Sequence, residues 1–236
     1  MQIIIGNSIG VNRTSTLGGG GGFSNTKSLL FDGVDEKVST PSINLGLENT
    51  ISFWAKSDGT NFNGMVLGGI VQSNYFTVFL TSTNNLLYRV GGGANSFNDA
   101  DIVAALGSGN WFHCALVRNN SGADVLCYIN GDLKQTKTNI IGSANNTIIQ
   151  DIGARSINDF YLKGNIDELS LYNTALGDAD ISTIATAPSD LSTYNPILWY
   201  RNGDGDTFPT LTDNGSGGNN GTMINMEAED IVNDTP

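Results

Sequence analysis

Gly164-Asn165-Ile166-Asp167-Glu168-Leu169-Ser170-Leu171-Tyr172-Asn173-Thr174-Ala175-Leu176 sets the fold by its alternation. Ile166, Glu168, Ser170 and Tyr172 alternate with Asp167, Leu169 and Leu171, which predicts a strand with one face buried. Asp167 falls on the Leu169/Leu171 face. A carboxylate there must be hydrogen-bonded, paired or metal-bound, because burying it bare is too costly. Gly177-Asp178-Ala179-Asp180-Ile181 follows, and early acids suit a helix N-terminus. The helix is expected over residues 177–187, ended by Pro188. The stretch thus reads as a strand closing a sheet, then one short helix.

Working outward, residues 27–176 read as strands nearly throughout. Turn signals recur at Asp58-Gly59, Asn84-Asn85, Gly91-Gly92-Gly93, Gly107-Ser108-Gly109, Asn119-Asn120-Ser121-Gly122, Asn130-Gly131 and Asn145-Asn146. Such regular punctuation predicts an antiparallel sandwich. Between the turns lie apolar runs such as Phe76–Leu80 and Leu86–Val90, and no helix-period segment precedes residue 177. If Asn119–Gly122 form a loop, Cys114 sits directly opposite Cys127. The pair is expected as two neighbouring free thiols, since adjacent-strand disulfides are strained and cytoplasmic folding disfavours them.

The same residues carry a family resemblance. The run from Gly164 through Ile166-Asp167-Glu168, Tyr172-Asn173, Ala175-Leu176 and Ile181 resembles the closing strand of laminin-G-like domains of the concanavalin A-like lectin/glucanase superfamily. Ser28–Asp35 is similar to that family's opening strand. Ile51–Lys56, Trp111–Arg118 and Tyr128–Gly131 resemble its middle strands. The resemblance implies an all-β, concanavalin A-like antiparallel jelly-roll sandwich over residues 27–187, with one short C-terminal helix. Residues 1–26 are then a Gly-rich N-terminal arm and 188–236 a C-terminal extension. In the extension, Leu198–Asp204 and Thr212–Met223 resemble the lead-in that normally precedes the Phe-Asp-Gly strand. Either a truncated second domain begins here, or the extension folds back to complete the first; closeness of the terminal strands in such sandwiches favours the second. The arrangement is similar to virion proteins of marine tailed phages. That implies a virion location, virion proteins and copies of itself as partners, and host glycans as possible ligands.

Composition narrows the classes. The net charge of −12 in 236 residues argues against nucleic acid. No stretch is long enough to span a bilayer, and the N-terminus lacks a basic region and an apolar run of signal length, so folding in a cytoplasm is expected. Ile3, Ile4 and Ile5 precede Gly18–Gly22. They form either part of a disordered leader or the anchor of a docking arm for assembly.

Chemistry could reside in few places. The family often holds a structural calcium near its closing strand, which nominates Asp32 and Asp167 as oxygen ligands. Alternatively Asp32 caps the Gly33 turn and Asp167 accepts backbone hydrogen bonds. Asn202, Asp204, Asp206 and Asp213 mimic EF-hand spacing, but Thr207 stands where glycine is required and Pro209 interrupts, so an Asp/Gly turn explains them better. Glycosidases of this superfamily carry two carboxylates close along one strand, whereas Asp167 and Glu168 are adjacent and should face opposite ways. The single histidine, His113, reads as packed rather than as part of a triad. Gly91–Gly93 is not followed by a helix pattern, which excludes a phosphate loop. Sugar binding would use Tyr75, Tyr88, Arg89 and Asn95, each of which is also an ordinary sheet residue. Trp54, Trp111 and Trp199 read as core. The expected function is a non-enzymatic virion structural protein displaying a lectin-like domain. A cellular carbohydrate-binding module and a hydrolase of the same fold are the alternatives.

Overall fold

The computed structural model describes residues 23–57, 64–71, 74–81, 83, 85–91, 93–140, 142–155 and 160–236. The arm residues Ile3, Ile4 and Ile5 lie outside them. In chain order the first strands are β1 (Ser28–Asp32), β2 (Lys37–Gly46), β3 (Asn49–Lys56), β4 (Gly64–Val71), β5 (Asn74–Leu80), β6 (Leu86–Val90) and β7 (Gly93–Phe97). Helix α1 (Ala100–Gly107) follows, then β8 (Phe112–Asn119), β9 (Asp124–Ile129), β10 (Asp132–Lys137), β11 (Thr147–Ile152) and β12 (Lys163–Tyr172). Helix α2 (Asp178–Ile184) precedes β13 (Leu198–Tyr200), β14 (Thr210–Leu211), β15 (Gly221–Ile224) and β16 (Ile231–Val232).

These strands form two antiparallel sheets packed as a sandwich. One runs β10-β9-β8-β3-β12-β1-β16, with β13 also on β12; the other runs β14-β15-β2-β11-β4-β5-β6-β7. The opening and closing strands meet side by side, Leu29 against Ile166 and Phe31 against Gly164. Residues after 188 add β13 to β12, β15 to β2 and β16 to β1. Strand alternation fills the space between the sheets. In the second sheet Met223, Val38, Ile152, Leu67, Val78 and Tyr88 stand in one register row facing inward, and all are buried. Leu29, Phe31, Ile51, Phe53, Cys114, Leu116, Ile166, Leu169 and Leu171 face them from the first sheet. A smaller cluster (Ala115, Val117, Tyr128, Ile181, Ile184, Leu191, Trp199) lies on that sheet's outer side, beneath α2 and the following segment.

Three expectations are corrected. A helix does precede residue 177: in α1, Asp99 caps the Asp101 N–H at 3.0 Å, and Ile102 and Leu106, four residues apart, are buried. Cys114 pairs with Ile129, and Cys127 with Leu116, because Asn119 stays in its strand and residues 120–123 make the turn. The cysteines are free and buried, offset by two positions. Asp167 does not share the Leu169/Leu171 face. It pairs with Trp54, while Ser170 pairs with Ser52, so β12 carries one extra residue between them. This is a β-bulge, with Glu168 at φ 48°. The bulge leaves Ile166, Leu169 and Leu171 inward and turns Asp167 outward. At the same place β12 exchanges its neighbour β1 for β13.

Candidate functional site

The outer face of the second sheet carries the site. One register step from the inward row, Thr222, Ser39, Asp151, Gly68, Thr77, Arg89 and Ala94 stand across the sheet facing outward. Asp151 and Thr77 are nevertheless only 3% and 2% exposed, because the chain leaving β11 lies over β4. A Cβ on Gly68 would stand 2.6 Å from the Ala154 carbonyl oxygen and 3.0 Å from the Arg155 Cα, so glycine here lets that backbone settle on the sheet. The buried Asp151 carboxylate is paired with Lys37 Nζ at 3.2 Å.

Beside this pair opens a cleft of about 330 Å³, lined by Asp35, Lys37, Ser39, Tyr161, Ile224 and Asn225. Lys37 and Ser39 come from β2, and Ile224 pairs with Lys37 from β15. Asn225 Nδ2 donates to the Asp35 carbonyl at 3.2 Å and to Asp35 Oδ2 at 3.3 Å, fixing the rim. Tyr161 supplies an aromatic wall. Next to it Phe160 is 49% exposed at φ 55°, a conformation uncommon for a bulky residue. Its ring meets Phe79 edge-on at 5.4 Å, and the Arg155 guanidinium lies 4.8 Å from its centroid. One face therefore combines aromatic surface with carboxylate, amide, hydroxyl and ammonium groups.

A second polar cluster lies on the outer side of the first sheet, but it is closed. Asp167 accepts from Asn25 Nδ2 at 2.8 Å and from the Glu168 N–H at 2.7 Å. Glu168 accepts from Trp199 Nε1 at 2.6 Å and has Arg201 Nε 3.8 Å away. Burial pushes the Asp167 carboxyl up to about 8 and that of Glu168 to about 7. Arg201 also lies over Phe23, which stacks on Trp199, so the incoming chain roofs the acids. His113 Nε2 lies 2.8 Å from Ser52 Oγ, and burial holds its pKa down to about 3. The space beside Ser52, His113 and Glu168 is about 10 Å³, too small for any substrate.

The sequence-derived candidates divide among these places. Asp32 pairs with Lys163, four positions along β12 from Asp167. That separates it from Asp167 by roughly 13 Å of strand, so one ion cannot bridge the two. Asp32 Oδ1 instead accepts the Val34 N–H at 2.7 Å, as a turn cap. Tyr88 is core, its ring edge-on to Phe76 and its hydroxyl 3.2 Å from Thr147 Oγ1. Arg89 stands on the opposite, outer face, and half-buried Asn95 donates to the Tyr88 carbonyl. Tyr75 lies in β5 against Ile70, and its side chain is outside the described residues. Asp204, Asp206 and Asp213 cap backbone N–H groups of Thr26, Gly203, Thr212, Trp199, Gly215 and Asn219, the work of turn residues. Sequence reasoning missed Lys37, Ser39, Tyr161 and Asn225. The signal available was the polar-apolar-polar run Lys37-Val38-Ser39.

A family model described as the concanavalin A-like lectin/glucanases superfamily matches residues 32–182. The chain belongs to this superfamily. Its sandwich also resembles solved structures of superfamily shape. A putative carbohydrate binding protein from Bacteroides ovatus aligns at TM-score 0.66 and 15% identity, over 90% of this chain and 60% of that one. A heptameric SAP-like pentraxin from Limulus polyphemus aligns at TM-score 0.54 and 15% identity, over 70% and 84%. The NanB sialidase of Streptococcus pneumoniae aligns at TM-score 0.50 and 22% identity, but over only 27% of its own length. At such identities the likeness shows the superfamily fold alone. No curated protein matches by sequence. Among the described residues no helix is long and apolar enough to cross a membrane, and no group of three His, Cys, Asp or Glu could hold a metal ion.

Proposed function

We propose that the protein is a non-catalytic carbohydrate-binding module, and that a sugar ring sits in the Tyr161 cleft on the outer face of the second sheet. One observation carries the reading. An open cleft of about 330 Å³, within the range of small-molecule sites, sets an aromatic wall beside hydroxyl-bonding groups on Asp35, Lys37, Ser39 and Asn225. Aromatic rings match the apolar face of a pyranose, and short polar side chains match its hydroxyls. The likeness to a putative carbohydrate binding protein agrees with this use of the fold. Binding rather than hydrolysis is supported by the placement of carboxylates. Asp151 is occupied by Lys37, and Asp167 and Glu168, both raised by burial, are roofed over.

On a glycan array, Tyr161→Ala is expected to weaken binding at least about tenfold, the cost of losing an aromatic anchor. The melting temperature should fall by no more than a few degrees, since Tyr161 is only partly buried. Unchanged array binding would remove the cleft from the proposal, and release of reducing ends would replace binding with hydrolysis. The virion setting belongs to the same proposal, and its support is the resemblance of the C-terminal arrangement to virion proteins of marine tailed phages. Light scattering on the full chain is then expected to give the mass of several chains, and a strict monomer would count against an appendage built of copies.

A further inference from the structure

A second cleft, on the other sheet, has the same chemical character and a feature the first lacks. It measures about 380 Å³ and lies between α1, the start of β8 and the β9–β10 hairpin, lined among others by Asp101, Asn110, Trp111, Asn130, Asp132 and Lys134. Trp111 precedes β8 and is half-buried, so it lines this opening instead of filling the core. Its walls are tied together. Lys134 Nζ bridges Asp101 of α1 at 3.0 Å and Asp132 of β10 at 3.3 Å. Gln135 Oε1 accepts the Asn98 and Asp99 N–H groups at the helix start.

The indole itself is held from the far end of the chain. Trp111 Nε1 donates to Asp234 Oδ1 at 3.0 Å, and Lys56 Nζ lies 2.7 Å from Asp234 Oδ2. Ser28 Oγ donates to the Asp234 carbonyl at 2.6 Å, so the tail carrying this carboxylate is itself pinned to β1. An aromatic plane fixed in this way can receive an apolar ring face without first losing its own freedom.

We propose that this cleft is a second saccharide subsite that takes a neutral pyranose, with Trp111 as the stacking platform and Asp234 as the residue that positions it. The proposal rests on the carbohydrate-binding reading of the fold. Ala104, Ala105, Phe112 and Ile129 extend the apolar floor. Asn130 accepts the His113 N–H at 2.9 Å through Oδ1, leaving Nδ2 to donate to a hydroxyl. Charge selects the sugar class. Among the described residues lining the cleft the one cation, Lys134, is already shared by two carboxylates, so an acidic sugar meets net negative charge and a neutral one does not.

The test uses the full chain labelled with ¹⁵N and follows the indole N–H signals of Trp54, Trp111 and Trp199, with Trp111→Phe identifying the relevant one. Methyl glucopyranoside, methyl galactopyranoside and methyl N-acetylglucosaminide are titrated, with N-acetylneuraminic acid as the acidic comparison. A saturable shift of the Trp111 signal is expected with at least one neutral glycoside and not with the acid. It should persist in Tyr161→Ala. Asp234→Ala is expected to weaken the response about fivefold to tenfold, the scale of a lost charge-assisted hydrogen bond. Asp234→Asn, which keeps an acceptor oxygen, should restore most of it, and neither variant should alter the response of the Lys37 and Ser39 amides. A silent Trp111 beside responsive Lys37 and Ser39 amides overturns the second subsite alone. Silence at both clefts overturns the carbohydrate reading with it. A Trp111 response indifferent to Asp234→Ala overturns the positioning role.

Discussion

Melting temperature is expected to fall as the pH is taken from about 5 to about 9. Asp167 and Glu168 have ordinary carboxyl values of 3.8 and 4.5 when unfolded, and about 8 and about 7 in the folded protein. Burial is the main cause for both; Asp204 nearby also raises each, and Glu168 raises Asp167. Glu36 adds to the effect, raised to about 7 by burial first and by Asp230 and Asp32 beside it. A folded value above the unfolded one means that the folded chain holds the proton more tightly. The stability this contributes is complete below about pH 4 and is lost as the pH climbs through about 7 and then about 8.

Asp167→Asn separates this effect from the general repulsion of a chain with net charge −12. The neutral amide keeps an oxygen for the Glu168 N–H. Asn25, whose Oδ1 is buried without a partner among the described residues, can turn to accept from the new amide. The variant is expected to be more stable than the parent by about 2–4 kcal/mol at pH 9 and nearly equal to it at about pH 4, with part of the slope remaining through Glu168 and Glu36. Urea denaturation at the two pH values measures this. Equal slopes for both proteins would show that Asp167 does not hold its proton in the folded state. The consequence reaches the N-terminal segment, since Asn25 is fastened to this carboxylate.

Much of the fold was legible because alternation and turn residues are local signals. The β1–β12 pairing and the α2 helix follow from the closing stretch itself, and the extra helix α1 was written in Asp99, Ile102 and Leu106. The bulge was not legible. One inserted residue at Glu168 reverses the face of everything before it, and period-two counting passes straight through such a position. The cysteine pairing failed for a related reason, a turn displaced by one residue. Tyr88 and Arg89 could have been parted from sequence alone, since neighbours in a strand face opposite ways. The cleft is the reverse case. Lys37, Tyr161 and Asn225 are separated by 124 and 64 positions in turn and meet because β15 pairs with β2 while Tyr161, just ahead of β12, stands beside them. No local pattern encodes such a meeting.

Ending the chain at Ala187 is expected to abolish folding, although the matched superfamily segment, residues 32–182, would be intact. The removed residues are structural members of both sheets. Leu198, Tyr200 and Leu211 are fully buried, and Met223 and Met226 are 4% and 6% exposed. At about 1.5–3 kcal/mol each, these five side chains represent about 10 kcal/mol, against a typical total stability of about 5–15 kcal/mol. Truncation would also uncover the β2 edge that β15 covers and the Leu169–Leu171 edge that β13 covers, leaving open strands prone to association. A soluble truncated chain melting within a few degrees of the parent would overturn this account. The complementary case is a permuted chain that starts at Ser189, runs to Pro236, passes through a flexible linker of about six residues and continues from Phe23 to Ala187. The joined ends are close, since Lys27 and Ser28 already bond to Asn233 and Asp234. The new ends fall beside Thr186 and Ala187, which are exposed. This chain keeps every strand pairing among the described residues and is expected to fold with a melting temperature within about 5 °C of the parent, because the order of connection changes while those pairings stay. Failure of the truncated form together with success of the permuted one would show that the last residues are needed for the strands they contribute and not for where they stand in the sequence.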